Sequence, residues 1–139
     1  HTVNERVVHM TTVKLTEEQI EKLAEEVRQF LIEHEMWQDV AIYFNGKCFI
    51  TYDKEAGKYY YNDPSHLIVV ENKDPNDYFD YVAEEHVLSM GFEGPLYALI
   101  NYPQGTGDYR KLDEFNQIFK NYGLYYDLGD AWNLSCYYV

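Results

Sequence analysis

The chain is short of the residues that cross-link, interrupt or positively charge a small protein. Its two cysteines, Cys48 and Cys136, stand far apart, with no CxxC pair and no Cys/His cluster at zinc spacing. That excludes a disulfide framework and a zinc-finger scaffold. Two buried, reduced thiols in a cytoplasmic protein are the expectation. Only four prolines occur, while 46% of residues are apolar and 17% aromatic. A chain of this make-up offsets its ordering entropy by burial, so disorder is not expected. Lysine and arginine number 11 against 24 aspartates and glutamates, a formal charge of −13. Such a surface repels phosphate backbones and argues against direct binding of nucleic acid or an anionic membrane. No apolar run reaches the ~18 to 20 residues that span a bilayer. The first residues also lack the basic start and apolar stretch of a signal peptide.

The 139 residues suit one domain, since domains cluster near ~100 to 150 residues. His1 to His9 reads as a polar leader or cloning remnant with Met10 as a natural start, leaving 10–139 as a single domain. Thr16 and Gln19 form a capping box and Leu15 and Ile20 a staple pair, opening a helix to about residue 35. Its apolar stripe is Ile20, Leu23, Ala24, Val27, Phe30, Leu31 and His34. Val40 to Phe44 and Lys47 to Tyr52 flank Asn45-Gly46, the signal of a two-residue hairpin turn. Pairing Phe44 with Lys47 places Val40, Ile42, Phe44, Phe49 and Thr51 on one face. Ala41, Tyr43, Cys48, Ile50 and Tyr52 then share the other.

Lys58 to Asn62 and His66 to Glu71 read as a second strand pair around Asp63-Pro64-Ser65. His86 to Phe92 reads as a strand, and Pro95 as the first turn of a short helix. Pro103 to Asp108 reads as a mobile loop, followed by a helix from about Lys111 to Tyr122. Leu124 to Leu128 and Ala131 to Tyr138 flank Gly129-Asp130 as a final hairpin. The order predicts an α+β fold, with an N-terminal helix and two further helices packed on a mainly antiparallel sheet.

No P-loop, dinucleotide fingerprint, HExxH or GxSxG motif is present, and Gly105-Thr106-Gly107 lacks the frame of a phosphate cradle. Glu84 and His86 are fit for acid-base work, but a solvated strand entrance explains them as well. His34, His66 and His86 are not at ligand spacing, so no metal and no cofactor are expected. No catalytic residue is assigned. The true excess is fifteen tyrosines, a residue that offers stiff, amphipathic contact area at low entropic cost. Tyr59, Tyr61, Tyr78, Tyr81, Glu84, His86, Glu93 and Tyr97 are therefore the candidate binding residues.

Glu17, Glu18, Glu21, Glu25 and Glu26 form a carboxylate row that reads as an ordinary solvated helix face, with imitation of DNA phosphates for a nucleic-acid-binding protein as the minority reading. Lys22 and Arg28 are expected to interrupt it by pairing with Glu18, Glu25 or Glu26. The stretches HVLSMGFEGPLYALINY (His86 to Tyr102) and YGLYYDLGDAWNLSCYYV (Tyr122 to Val139) resemble small acidic, uncharacterised proteins of bacterial mobile elements. The resemblance implies a bacterial cytoplasmic setting and carries over no residue role. The expected function is recognition without turnover, with an acidic, tyrosine-rich surface binding a partner protein, a basic one for preference. Three alternatives are a tyrosine-lined pocket near Gly94 to Tyr102 for a small ligand or substrate, the DNA mimic, and a homodimer.

Overall fold

The computed structural model of the chain describes residues 14–80 and 82–139, so the expectations for His1 to His9 and for Tyr81 lie outside the described residues. α1 (Glu17–Glu33) opens on the reciprocal cap. The Gln19 amide donates to Thr16 Oγ1 at 3.1 Å, and the Thr16 amide donates to Gln19 Oε1 at 2.9 Å. Two of the helix's orphan donors are thereby satisfied. Leu23, Ala24, Val27 and Leu31 are buried along its stripe, with Leu15 and Ile20 packed at the margin of the same core. His34 caps the far end, its ring against Phe30 at 4.4 Å.

β1 (Val40–Phe44) and β2 (Lys47–Ile50) pair through Phe44 and Lys47. Asn45 and Gly46 between them both have positive φ, as a turn that matches the strand twist requires. The next segment departs from the expected pairing. β3 (Tyr52–Asp53) and β4 (Lys58–Tyr59) form their own small ribbon, and β5 (Ile68–Glu71) pairs with β2 instead of with β4.

The cause is local hydrogen bonding. The Gly57 amide donates to the Asp53 carbonyl at 2.8 Å and the Ala56 amide to Asp53 Oδ1 at 3.1 Å, which closes a tight turn inside the ribbon. Beyond it, the Trp37 amide donates to Asn62 Oδ1 at 2.8 Å and the Asn62 amide to the Trp37 carbonyl at 3.1 Å. Arg28, buried over the Trp37 ring, donates to the carbonyls of Asp63 at 3.0 Å and His66 at 3.3 Å. This clamp reverses the chain and sends β5 back along β2.

β6 (Leu88–Phe92), α2 (Pro95–Asn101), α3 (Gly105–Lys120), β7 (Leu124–Leu128) and β8 (Asn133–Tyr138) complete the domain. α3 starts at Gly105, where a mobile loop was expected. Asp108 in its first turn accepts from the Gln104 amide at 2.9 Å, and a carboxylate there also suits the positive end of the helix.

The six main strands run in the order β5-β2-β1-β6-β8-β7, every neighbouring pair antiparallel. The three helices cover one face. There Leu23, Leu31, Leu96, Phe115 and Phe119 bury Ile42, Phe44, Leu88, Met90, Leu134 and Cys136. On the opposite face Tyr43 and Cys48 form a smaller cluster with Phe79 and Val82, from the segment that leads into β6, with Trp132 packed against it. The chain is thus the single α+β domain expected. Cys48 and Cys136 lie on opposite faces of the sheet, both free and buried. Burial pushes the Cys48 thiol up to about 11 and Cys136 higher still, so both are poor nucleophiles at neutral pH. Among the described residues no helix is long and apolar enough to cross a membrane.

Candidate functional site

Because α1, α2 and α3 sit on one side, the other face of the sheet is only partly covered by the described residues. Strand alternation turns Ala41, Tyr43, Ile50 and Gly91 toward it. The segment before β6 lays Tyr78 over Tyr43, rings stacked at 5.6 Å, and sets Phe79 edge-on against Tyr43 and Trp132, both at 5.5 Å. Lys73 Nζ donates to the Tyr78 hydroxyl at 2.9 Å and holds that ring in place. Beside this cover remains a shallow groove of about 470 Å³, walled by Asp39, Tyr43, Tyr52, Tyr78, Glu93 and Trp132 among others. Among the described residues no lysine or arginine lines it.

The groove runs into a row of tyrosines on the β3–β4 ribbon. Tyr52 and Tyr59 are cross-strand partners with ring centroids 4.7 Å apart, and Tyr61 follows Tyr59 at 5.4 Å. Tyr59 is 60% exposed. The Tyr61 hydroxyl donates to Asp39 Oδ1 at 2.7 Å, and that bond pushes its pKa up to about 12. Asp39 stands opposite Glu93 at the end of the β1–β6 pairing, the Glu93 amide donating to the Asp39 carbonyl at 3.1 Å. Both side chains are exposed, and neither forms a salt bridge among the described residues.

Of the candidate residues, Tyr59, Tyr61, Tyr78 and Glu93 therefore converge on the groove or its rim. Tyr97 does not; it lies on α2 beside Tyr102, ring centroids 6.2 Å apart. Sequence reasoning overlooked Asp39, Tyr43, Tyr52 and Trp132. The signal for Tyr43 and Tyr52 was present, since the hairpin's alternation already put both on one face with Ile50.

Glu84 and His86 belong to a second cleft, of about 550 Å³, between Lys14, the Asn45-Gly46 turn and the segment around Lys73. There His86 Nδ1 lies 3.1 Å from Ser89 Oγ, which in turn lies 2.7 Å from Ser135 Oγ. A serine beside an imidazole has the look of a nucleophile and its base. Ser89, however, is 0% exposed and forms no part of the cleft wall. Its hydroxyl is committed to a polar chain across β6 and β8, out of a substrate's reach. Burial lowers the pKa of His86, partly offset by the charges of Asp74 and Glu85.

His34 and His66 are engaged elsewhere. His34 packs on Phe30, and His66 stacks on Tyr60 at 3.5 Å with Nε2 3.3 Å from Asp53. Among the described residues no three His, Cys, Asp or Glu side chains gather in a metal-holding group. Near Gly94 to Tyr102, where a tyrosine-lined pocket was one expectation, Leu96 and Leu99 are buried in the main core.

The acidic face of α1 also differs from expectation. Glu17, Glu18, Glu21 and Glu25 flank a shallow cleft with Glu71, and Lys47 Nζ pairs with Glu21 at 2.9 Å. Arg28 was expected to pair with neighbouring glutamates, but it points inward over Trp37, and Lys22 forms no salt bridge among the described residues. Arg28 is drawn in because two loop carbonyls and an indole face offer its planar cation more than a solvated carboxylate does. No protein-family model, no curated protein and no solved structure matches the chain.

Proposed function

We propose that the protein is a non-enzymatic interaction domain, cytoplasmic and bacterial, that binds a partner protein through the tyrosine-bearing groove on the open face of its sheet. The observation that carries this reading is the contiguous Tyr52, Tyr59 and Tyr61 row, anchored to Asp39 and continuous with the groove. Stiff aromatic side chains at the centre of a contact area are the usual anchors of binding energy. The net charge of −13 steers a basic partner toward them and raises its association rate. Ser89, the one serine paired with an imidazole among the described residues, is buried beyond a substrate's reach, which favours recognition over turnover.

The test is capture from the native host at low and at high salt, comparing the natural chain with a Tyr52→Ser, Tyr59→Ser, Tyr61→Ser variant whose fold is checked by circular dichroism. A partner retained by the natural chain and lost by the variant supports the proposal. Equal retention by both overturns it.

The inward turn of Arg28 favours one further reading, the imitation of DNA by the α1 carboxylates. With Arg28 withdrawn, the cations left on that surface among the described residues are Lys22 and the paired Lys47. Competition decides between the two: a target captured through this face is released by duplex DNA, whereas one held by the tyrosine row stays bound.

A further inference from the structure

The groove's own chemistry narrows what it takes. Asp39 and Glu93 are like charges just beyond the end of the β1–β6 pairing, joined there by the Glu93 amide to the Asp39 carbonyl at 3.1 Å, and both line the groove. No described cation reaches either one. The three tyrosine rings beside them present π-faces, and a phenol that donates its proton to a carboxylate, as Tyr61 does, gains electron density in the ring. Two uncompensated carboxylates next to exposed rings form a receptor for a cation that is flat on its faces and rich in donors at its edge.

We infer that the groove takes an arginine-bearing segment of the partner protein, its guanidinium laid on the tyrosine row and its N–H edge directed at Asp39 and Glu93. Arginine is preferred to lysine on physical grounds. The guanidinium is planar, weakly hydrated and able to stack and bond a carboxylate at once, whereas an ammonium is a strongly hydrated point charge. The protein already lays a guanidinium over a ring internally, Arg28 lying 5.6 Å from the Trp37 ring centroid while it donates to two backbone carbonyls. This inference rests on the proposal that the groove binds a partner, and it specifies the chemistry of that same site.

The experiment titrates the isotopically labelled full chain with an acetylated, amidated pentapeptide of alternating arginine and glycine, and with its lysine counterpart. The expected result is amide shifts at Asp39, Thr51, Tyr52, Tyr59, Tyr61 and Glu93, with the lysine peptide weaker by about threefold or more. Asp39→Asn with Glu93→Gln weakens the arginine peptide by about fivefold. Tyr59→Leu, which keeps apolar area but removes the aromatic face, abolishes the preference for arginine. Equal binding of the two peptides overturns the inference, as do shifts on the Glu17 to Glu25 face in place of the tyrosine row. If partner capture is lost with the tyrosine-to-serine variant but arginine holds no advantage, this inference alone fails. If capture survives that variant, the underlying assignment of the groove fails.

Discussion

Tyr61 gives its hydroxyl hydrogen to Asp39 across 2.7 Å, and this bond ties the β3–β4 ribbon to the residue that leads into β1. A phenol held by a carboxylate resists ionisation, because losing the proton would place two negative charges together. Tyr61 is accordingly pushed up to about 12, while Tyr122 and Tyr126 reach about 12 chiefly through burial. Asp39→Asn should bring Tyr61 back toward the ordinary value of about 10 and leave Tyr122 and Tyr126 where they are. A carbon-detected pH titration of the tyrosine rings reads this directly. An unmoved Tyr61 would show that the bond is not made in solution.

Arg28 connects α1 to the loop that reverses the chain before β5. Its guanidinium donates to the Asp63 and His66 carbonyls and covers Trp37. Arg28→Met retains the alkyl stem but leaves both acceptors without that donor, and should cost about 2 kcal/mol in urea unfolding. Trp37 fluorescence should shift to the red as water enters. A loss below about 0.5 kcal/mol, the range of an ordinary surface change, would show that the clamp is unimportant.

His86 makes stability depend on pH. Burial holds its folded-state pKa below the unfolded value, with Asp74 and Glu85 opposing the shift. Between the two values the unfolded chain binds more protons, so stability is full above about pH 6.5, declines as pH falls toward the folded value and then levels off. Protonation also reverses the polar chain, since Nδ1 must then donate to Ser89 Oγ. His86→Gln should flatten the fall in unfolding free energy between about pH 7.5 and 5.5 relative to the natural chain. Identical slopes would assign the dependence to other groups.

Two glycines predict opposite signs. A Cβ at Gly94 would lie 2.6 Å from the Gln38 carbonyl oxygen, a backbone atom that cannot step aside. Gly94→Ala should therefore cost about 1 to 3 kcal/mol. A Cβ at Gly107, inside α3, meets nothing within 4 Å, so Gly107→Ala should stabilise by about 0.5 kcal/mol through lower unfolded-state entropy. Thermal denaturation of the two variants against the natural chain tests both.

Where local chemistry decides structure, the sequence was legible. Thr16 with Gln19, Asn45-Gly46 and Gly94-Pro95 each specify a backbone conformation within a few residues, and each element begins or turns where they place it. The β3, β4 and β5 pairings were not legible, because Asp63-Pro64-Ser65 marks a turn without specifying which strands pair on either side of it. The path of Lys58 to Glu71 depends on Arg28 and Trp37, which lie far away in the chain. α3 began early for a related reason: Gly105 and Gly107 looked like loop residues, while the Asp108 cap was a weaker signal. For the groove, the tyrosines were visible in the sequence as an excess, and alternation put Tyr43 and Tyr52 on one face. Only the fold could show that Asp39 and Glu93 stand opposite one another beside the rings.

The seam between β1 and β6 joins the two halves of the chain. During synthesis, a polypeptide released only as far as Asp80 has α1, β1, β2 and β5 but no neighbour for the far flank of β1. Val40 to Tyr43 then expose bare amides and carbonyls next to a half-covered apolar layer, a template for sticking to other copies. Emergence of Phe92 closes that flank. Ribosome stalling or early termination between these two points should therefore yield inclusion bodies, and a chaperone that shields nascent strands should act on this protein within that interval.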